Sequence, residues 1–198
     1  MTSYDQGLQR LGARLMRVPQ QFENLAVQIG VAGNAHYEDG TRVVDVAVKN
    51  EFGSPKERIP ARPFVRPTIK DKKDEWAQIL AHYLPSIGAG QHTAFEVLDL
   101  VGRVAAQDIK ATIAGIHSPP LAASTVYARE LRKTGMAPTR EAAYLMALSL
   151  IEKGAKVSAI GAKDNKPLND TGYLLASIGH AVNPKGSPLD EIMEGPGQ

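Results

Sequence analysis

Three prolines within eight residues, Pro60, Pro63 and Pro67, constrain this chain more than any other feature. Each fixes its own φ and pushes the preceding residue out of the helical region. The run Glu51-Phe52-Gly53-Ser54-Pro55-Lys56-Glu57-Arg58-Ile59-Pro60-Ala61-Arg62-Pro63-Phe64-Val65-Arg66-Pro67 therefore reads as a stiff, extended segment, unsuited to a central strand. Ile59, Phe64 and Val65 give it apolar anchors. Arg58, Arg62 and Arg66 give it cations suited to bidentate contact with carboxylates or phosphates. Two readings are open: an ordered loop packed on its own domain, or an arm docked on another subunit, where rigidity lowers the ordering cost.

The 198 residues suffice for one domain, or one domain with an inserted element. A net charge of +2 creates no global field for nucleic acid or membrane, so any polyanion contact needs a local cluster. Absence of cysteine excludes disulfides, thiol chemistry and the usual structural zinc ligands. The start, Met-Thr-Ser-Tyr-Asp-Gln-Gly, lacks the features of a signal peptide, and no apolar run approaches the roughly 18 residues of a membrane span. Synthesis in the cytoplasm and no membrane partner are the expectations.

In chain order, residues 4–17 carry Leu8, Leu11, Leu15 and Met16 at helical spacing, and 25–31 reads as a strand. Glu38-Asp39-Gly40 is a turn signal. The alternation of Val44, Val46 and Val48 then reads as the second strand of a hairpin, a short helix running into Glu51 being the alternative. Residues 68–84 predict a helix with Thr68 and Asp71 as a capping box, Trp76, Ile79, Leu80 and Tyr83 as its stripe, and Pro85 as its stop. A longer helix is predicted from Thr93 to Gly115, with a Thr93/Glu96 capping box and a face of Phe95, Leu98, Val101, Ala105, Ile109 and Ile113. Residues 116–137 read as irregular. A helix over 138–152 would bury Ala142, Leu145, Met146, Leu148, Ser149 and Ile151.

No constellation for catalysis, cofactor or metal stands out. The histidines at 36, 82, 92, 117 and 180 show no ligand spacing, and there is no G-x-S-x-G, Walker loop or dinucleotide fingerprint. Asp170-Thr171-Gly172 is the tripeptide of aspartic proteases. Those enzymes need two carboxylates sharing a proton, whereas here the tripeptide leads into Tyr-Leu-Leu-Ala-Ser-Ile, as a helix start capped by Asp170 would. The arginines of 58–66 followed by Lys70, Lys72 and Lys73 offer a phosphate contact, diluted by interleaved acids.

Two motifs together resemble a known family. Asn50-Glu51-Phe52-Gly53 with Ile59-Pro60-Ala61-Arg62-Pro63-Phe64 and Arg66-Pro67 is one; Leu168 with Asp170-Thr171-Gly172, Leu174 and Ser177-Ile178 is the other. In this order, with a long helix between them, they resemble the neck or tail-completion proteins of tailed bacteriophages, the gene-product-ten-like tail components, with the lambda tail-completion protein Z as a functional cousin. The resemblance covers roughly residues 20–115 and 165–182, and 120–165 departs from it as an insertion.

It implies an α+β virion protein without catalysis: a small antiparallel sheet on a long helix over 1–182, with a helical insertion around 120–165. The prolines and glycines of 183–198 read separately as a flexible tail unless a partner holds it. The implied place of the protein is the neck, as a ring or multi-copy collar contacting itself, connector and tail proteins, with DNA in the lumen as a further partner open to it. The motif residues would serve assembly. Pro60, Pro63 and Phe64 would anchor the arm, Phe52 would pack inward, and Gly53 would take an unusual φ. Arg62 and Arg66 would reach other subunits, so alanine at both should spare the fold. A nucleic-acid-binding module and an aspartic protease are the alternatives.

Overall fold

The computed structural model describes residues 12–14, 16–31, 33–155, 166–168 and 172–186. Among them run α1 (Val18–Phe22), β1 (Leu25–Val31), α2 (Val43–Phe52), a 3-10 turn (Pro55–Glu57), α3 (Val65–Gly88), α4 (Ala94–Gly115), α5 (Ala123–Lys133), α6 (Arg140–Glu152), α7 (Tyr173–Ser177) and β2 (Ile178–Pro184). The architecture is α+β, with two long helices and a two-stranded antiparallel sheet. Most of the helix expected over 4–17 lies outside the described residues. The chain divides into two compact units. Unit 1 combines 1–34, 65–111 and 177–198; unit 2 combines 35–64 and 112–176.

The strand expected at 25–31 forms, but its partner is not the one expected. β1 pairs antiparallel with β2, from Leu25 opposite Pro184 to Val31 opposite Ile178. Asn183 and Pro184, expected in a flexible tail, thus belong to the sheet, and the Lys185 amide donates to Asn24 O at 3.0 Å. The turn at 38–40 does form. Gly40 has φ 79°, its amide donates to Tyr37 O at 2.9 Å, and Asp39 Oδ1 accepts from the Thr41 amide at 3.0 Å. The segment after this turn is a helix and not a hairpin strand. Val43, Ala47 and Glu51 are all buried and four residues apart, so the helical period overrides the alternation of the valines.

In unit 1, α4 starts on the expected capping box: the Thr93 amide donates to Glu96 Oε2 at 2.8 Å and the Glu96 amide to Thr93 Oγ1 at 3.2 Å. The Thr93 amide first, and the Thr93 hydroxyl with it, hold the Glu96 carboxyl below the usual carboxylate range. The helix buries Val97, Leu98, Val101, Ala105 and Ile109, whereas Phe95, expected on that face, is exposed. α3 begins three residues earlier than predicted and runs past Pro85. Pro67 is tolerated in its first turn, where amides lack helical acceptors in any case. At the other end Pro85 interrupts without stopping the helix, and Ser86 Oγ donates to Tyr83 O at 2.8 Å. Val18, Ile87 and Val97 form a buried cluster, with Leu80 and Tyr83 packed on it. Trp76 Nε1 donates to Asp108 Oδ2 at 2.7 Å, joining α3 to α4.

The sheet meets α4 at Gly102. A Cβ there would lie 2.5 Å from His180 Cδ2 and 2.7 Å from Val27 Cγ2, so only glycine admits this approach. His180 is pinned in turn, its Nε2 2.9 Å from Asp99 Oδ1. That bond, with one from Arg103, holds the Asp99 carboxyl below its ordinary value. Gly102→Ala is therefore expected to destabilise the protein by about 1–2 kcal/mol, although alanine favours a helix interior by about 1 kcal/mol. Urea unfolding checks this, and an unchanged or raised midpoint would mean that the His180 ring yields freely.

Unit 2 contains α5 where an irregular segment is expected. α5 and α6 pack through Leu131, Ala137, Ala143 and Ala147, with Tyr127 and Leu150 against them. Thr139 caps α6, accepting from the Ala142 amide at 3.1 Å. The buried face of α6 is rotated from the one expected: Ala142, Ser149 and Ile151 are half-buried, and Ala143 and Ala147 take the interior. Small residues point inward, while Leu145 (61% exposed), Met146 and Leu148 lie outside.

Candidate functional site

The proline segment is the first component of the site, and it is a folded loop. Ser54 and Ile59 exchange backbone hydrogen bonds of 2.8 and 2.9 Å, closing a tight turn around Pro55–Glu57. Gly53 takes φ 79° and ψ 163°, and a Cβ on it would stand 3.0 Å from Ala61 N and 3.2 Å from Ile59 O. Its unusual φ is as expected. Phe52 is not packed inward: it is 62% exposed, and its neighbour Glu51 is buried instead. Glu51 Oε2 accepts from the Phe64 amide at 2.7 Å, which seats Phe64 in the interior at 1% exposure.

Arg62, expected to reach another subunit, is buried at 5% exposure. Its Nε donates to Pro119 O at 2.8 Å and its Nη2 to Pro120 O at 2.9 Å. A second fork repeats the device: Arg129 on α5 donates to Lys166 O at 2.9 Å and to Pro167 O at 3.3 Å. Each guanidinium ties a proline-containing loop to the unit by donating to two successive backbone carbonyls. Burial first, then the nearby Arg129 cation, draws Arg62 below the ordinary arginine value. Two like charges are thus held close together.

Between these loops lies a cleft of about 860 Å³, wholly within unit 2. Arg58, Arg62, Arg129, Arg132 and Arg140 line it, and Glu57 is the sole acid among its described lining residues. Glu57 pairs outward with Lys49 at 2.7 Å. Arg140 lies 3.2 Å from Asp39 Oδ2 and stacks 4.4 Å over the Tyr37 ring, which meets Tyr173 edge-on. Asp39 is held below its ordinary pKa chiefly by the Thr41 amide, with a lesser contribution from Arg140. Apolar walls come from Ile59, Leu121, Leu148, Leu168 and Leu174. Such a cleft suits a ligand that is both anionic and apolar. Among the described residues no group of His, Asp and Glu is placed to hold a metal ion.

Of the motif residues, Ile59, Pro60, Arg62, Leu168, Gly172 and Leu174 line this cleft. Arg66 and Pro67 belong to the first turn of α3, and Ser177 and Ile178 are buried at the α7–β2 junction of unit 1. Asp170 and Thr171, with the capping role expected of Asp170, lie outside the described residues. No family model, curated protein or solved structure matches this chain. Arg129, Arg132 and Arg140 escape the sequence reading, although Arg129 and Arg132 carry one signal: their spacing of three places both on one helical face.

Proposed function

We propose that the chain is a structural protein of the phage neck, completing the tail and mediating head–tail joining in several copies. The observation that carries this reading is the convergence of the two family-like motifs. Ile59, Pro60 and Arg62 from one and Leu168, Gly172 and Leu174 from the other, more than a hundred residues apart, line a single cleft. The exposed row Tyr144, Leu145 and Leu148 on α6 adds an apolar surface of the kind that subunit contacts cover. Heterologous contacts between such a surface and a neighbour generate a ring where the rotation between copies closes.

Light scattering of the purified chain, alone and with tails from a phage lysate lacking this gene product, tests the reading. A ring, or a monomer that becomes stoichiometrically tail-bound, is the expected result, with placement at the head-proximal tail end by electron microscopy. A chain indifferent to tails overturns it. The arginine excess of the cleft also favours a second reading, a nucleic-acid-binding module. That reading requires DNA affinity falling steeply with salt.

A further inference from the structure

We infer that the arginine cleft of unit 2 receives the acidic C-terminal segment of a neighbouring copy, residues 187–198. The segment reads Ser187-Pro188-Leu189-Asp190-Glu191-Ile192-Met193-Glu194-Gly195-Pro196-Gly197-Gln198, with three carboxylates, no lysine or arginine, and three large apolar residues among them. The cleft offers a complementary lining: Arg58 is exposed at its edge, Arg62, Arg129, Arg132 and Arg140 add cationic character although Arg140 also pairs with Asp39, and leucine and isoleucine walls lie between them. Arginine is the cation suited to forked pairing with carboxylates. The cleft volume of about 860 Å³ falls in the roughly 300–1,000 Å³ range of ligand-binding clefts. DNA matches less well, because a phosphodiester backbone leaves the apolar walls uncovered.

Exchange between copies is favoured over a purely internal contact by what borders the cleft. Tyr144 and Leu148 belong both to its lining and to the exposed α6 row with Leu145, so a second copy would cover that row while delivering its segment. Extended, the twelve residues from Ser187 reach up to about 40 Å. This inference does not depend on the phage reading, since only charge, shape and exposed apolar surface carry it.

The test uses a labelled peptide of residues 186–198, titrated into full-length chain carrying D190N, E191Q and E194Q so that its own segment does not compete. Saturable binding in the micromolar range is expected. It should weaken at least tenfold with Arg58→Glu, a change on an exposed loop residue, and remain unchanged with Lys56→Glu, a nearby residue outside the cleft. A peptide bearing the same three neutral substitutions should also bind at least tenfold more weakly. In parallel, wild-type chain should scatter as a multimer that dissociates on adding the free acidic peptide. Equal binding of acidic and neutral peptides, no effect of Arg58→Glu, or a wild-type monomer at all concentrations would each overturn the inference. So would an Arg58-dependent duplex DNA complex with no peptide binding. None of these failures alters whether the chain binds tails.

Discussion

Replacing Gly53 by alanine is expected to lower the stability of unit 2 by about 3 kcal/mol, through two separable causes. The first is conformational. With φ 79° and ψ 163°, Gly53 sits in a region that residues with a Cβ essentially do not enter. The second is contact: the new methyl would press on Ala61 N and Ile59 O, which are backbone atoms and cannot rotate away. Those atoms belong to the loop whose next residues are Arg62 and Phe64, so relief of the clash would disturb both buried anchors. Gly40→Ala is the control, because Gly40 also has φ 79° but nothing within 4 Å of its would-be Cβ. It should cost only about 1–2 kcal/mol. For a chain of this size the Gly53 variant should melt roughly 6–12 °C lower. Equal losses at both glycines would show that the contact with the loop contributes nothing.

How much of this was legible in the sequence depends on how local each cause is. The Thr93/Glu96 box could be read because both hydrogen bonds run within four residues. Likewise the Asp39-Gly40 turn declares itself through a positive φ and an Asp side chain that caps its own loop. The fate of Val43–Phe52 could not be read in that way. Its β-branched residues alternate as a strand's would, and only the burial of Val43, Ala47 and Glu51 in the folded unit selects the helix. Pairing of β1 with β2 joins residues some 150 positions apart, a choice made by tertiary packing and by no turn. α6 misleads for a further reason. It buries Ala143 and Ala147 against α5 with Leu150 beside them, so Leu145, Met146 and Leu148 are left outside. In the candidate site, the proline run reads as an extended arm, whereas Ser54 and Ile59 close a tight turn and Val65 already opens α3. Whether its arginines point outward or inward depends on carbonyls at 119–120 that lie far along the chain.

Arg62 turns that difference into the second large expected effect. Were it an inter-subunit contact, alanine would spare the fold and abolish association. Buried and forked onto Pro119 and Pro120, it should behave in the opposite way: Arg62→Ala is expected to destabilise the protein by about 2–3 kcal/mol, the range for hydrogen bonds with a charged partner. The loss has two parts, the charge-assisted bonds themselves and the carbonyls left without a donor. Arg62→Lys should recover less than half of it, because a single ammonium on a flexible stem does not reproduce a planar fork spanning two successive carbonyls. Arg66→Ala, at an exposed position in the first turn of α3, should leave the urea midpoint nearly unchanged. Comparison of the three midpoints decides the matter. If Arg62→Ala matches the wild type, the guanidinium is not holding the 119–120 loop, and the cleft would have to be built without it. If lysine restores the midpoint in full, a point charge suffices, and the forked geometry is incidental to the loop's attachment.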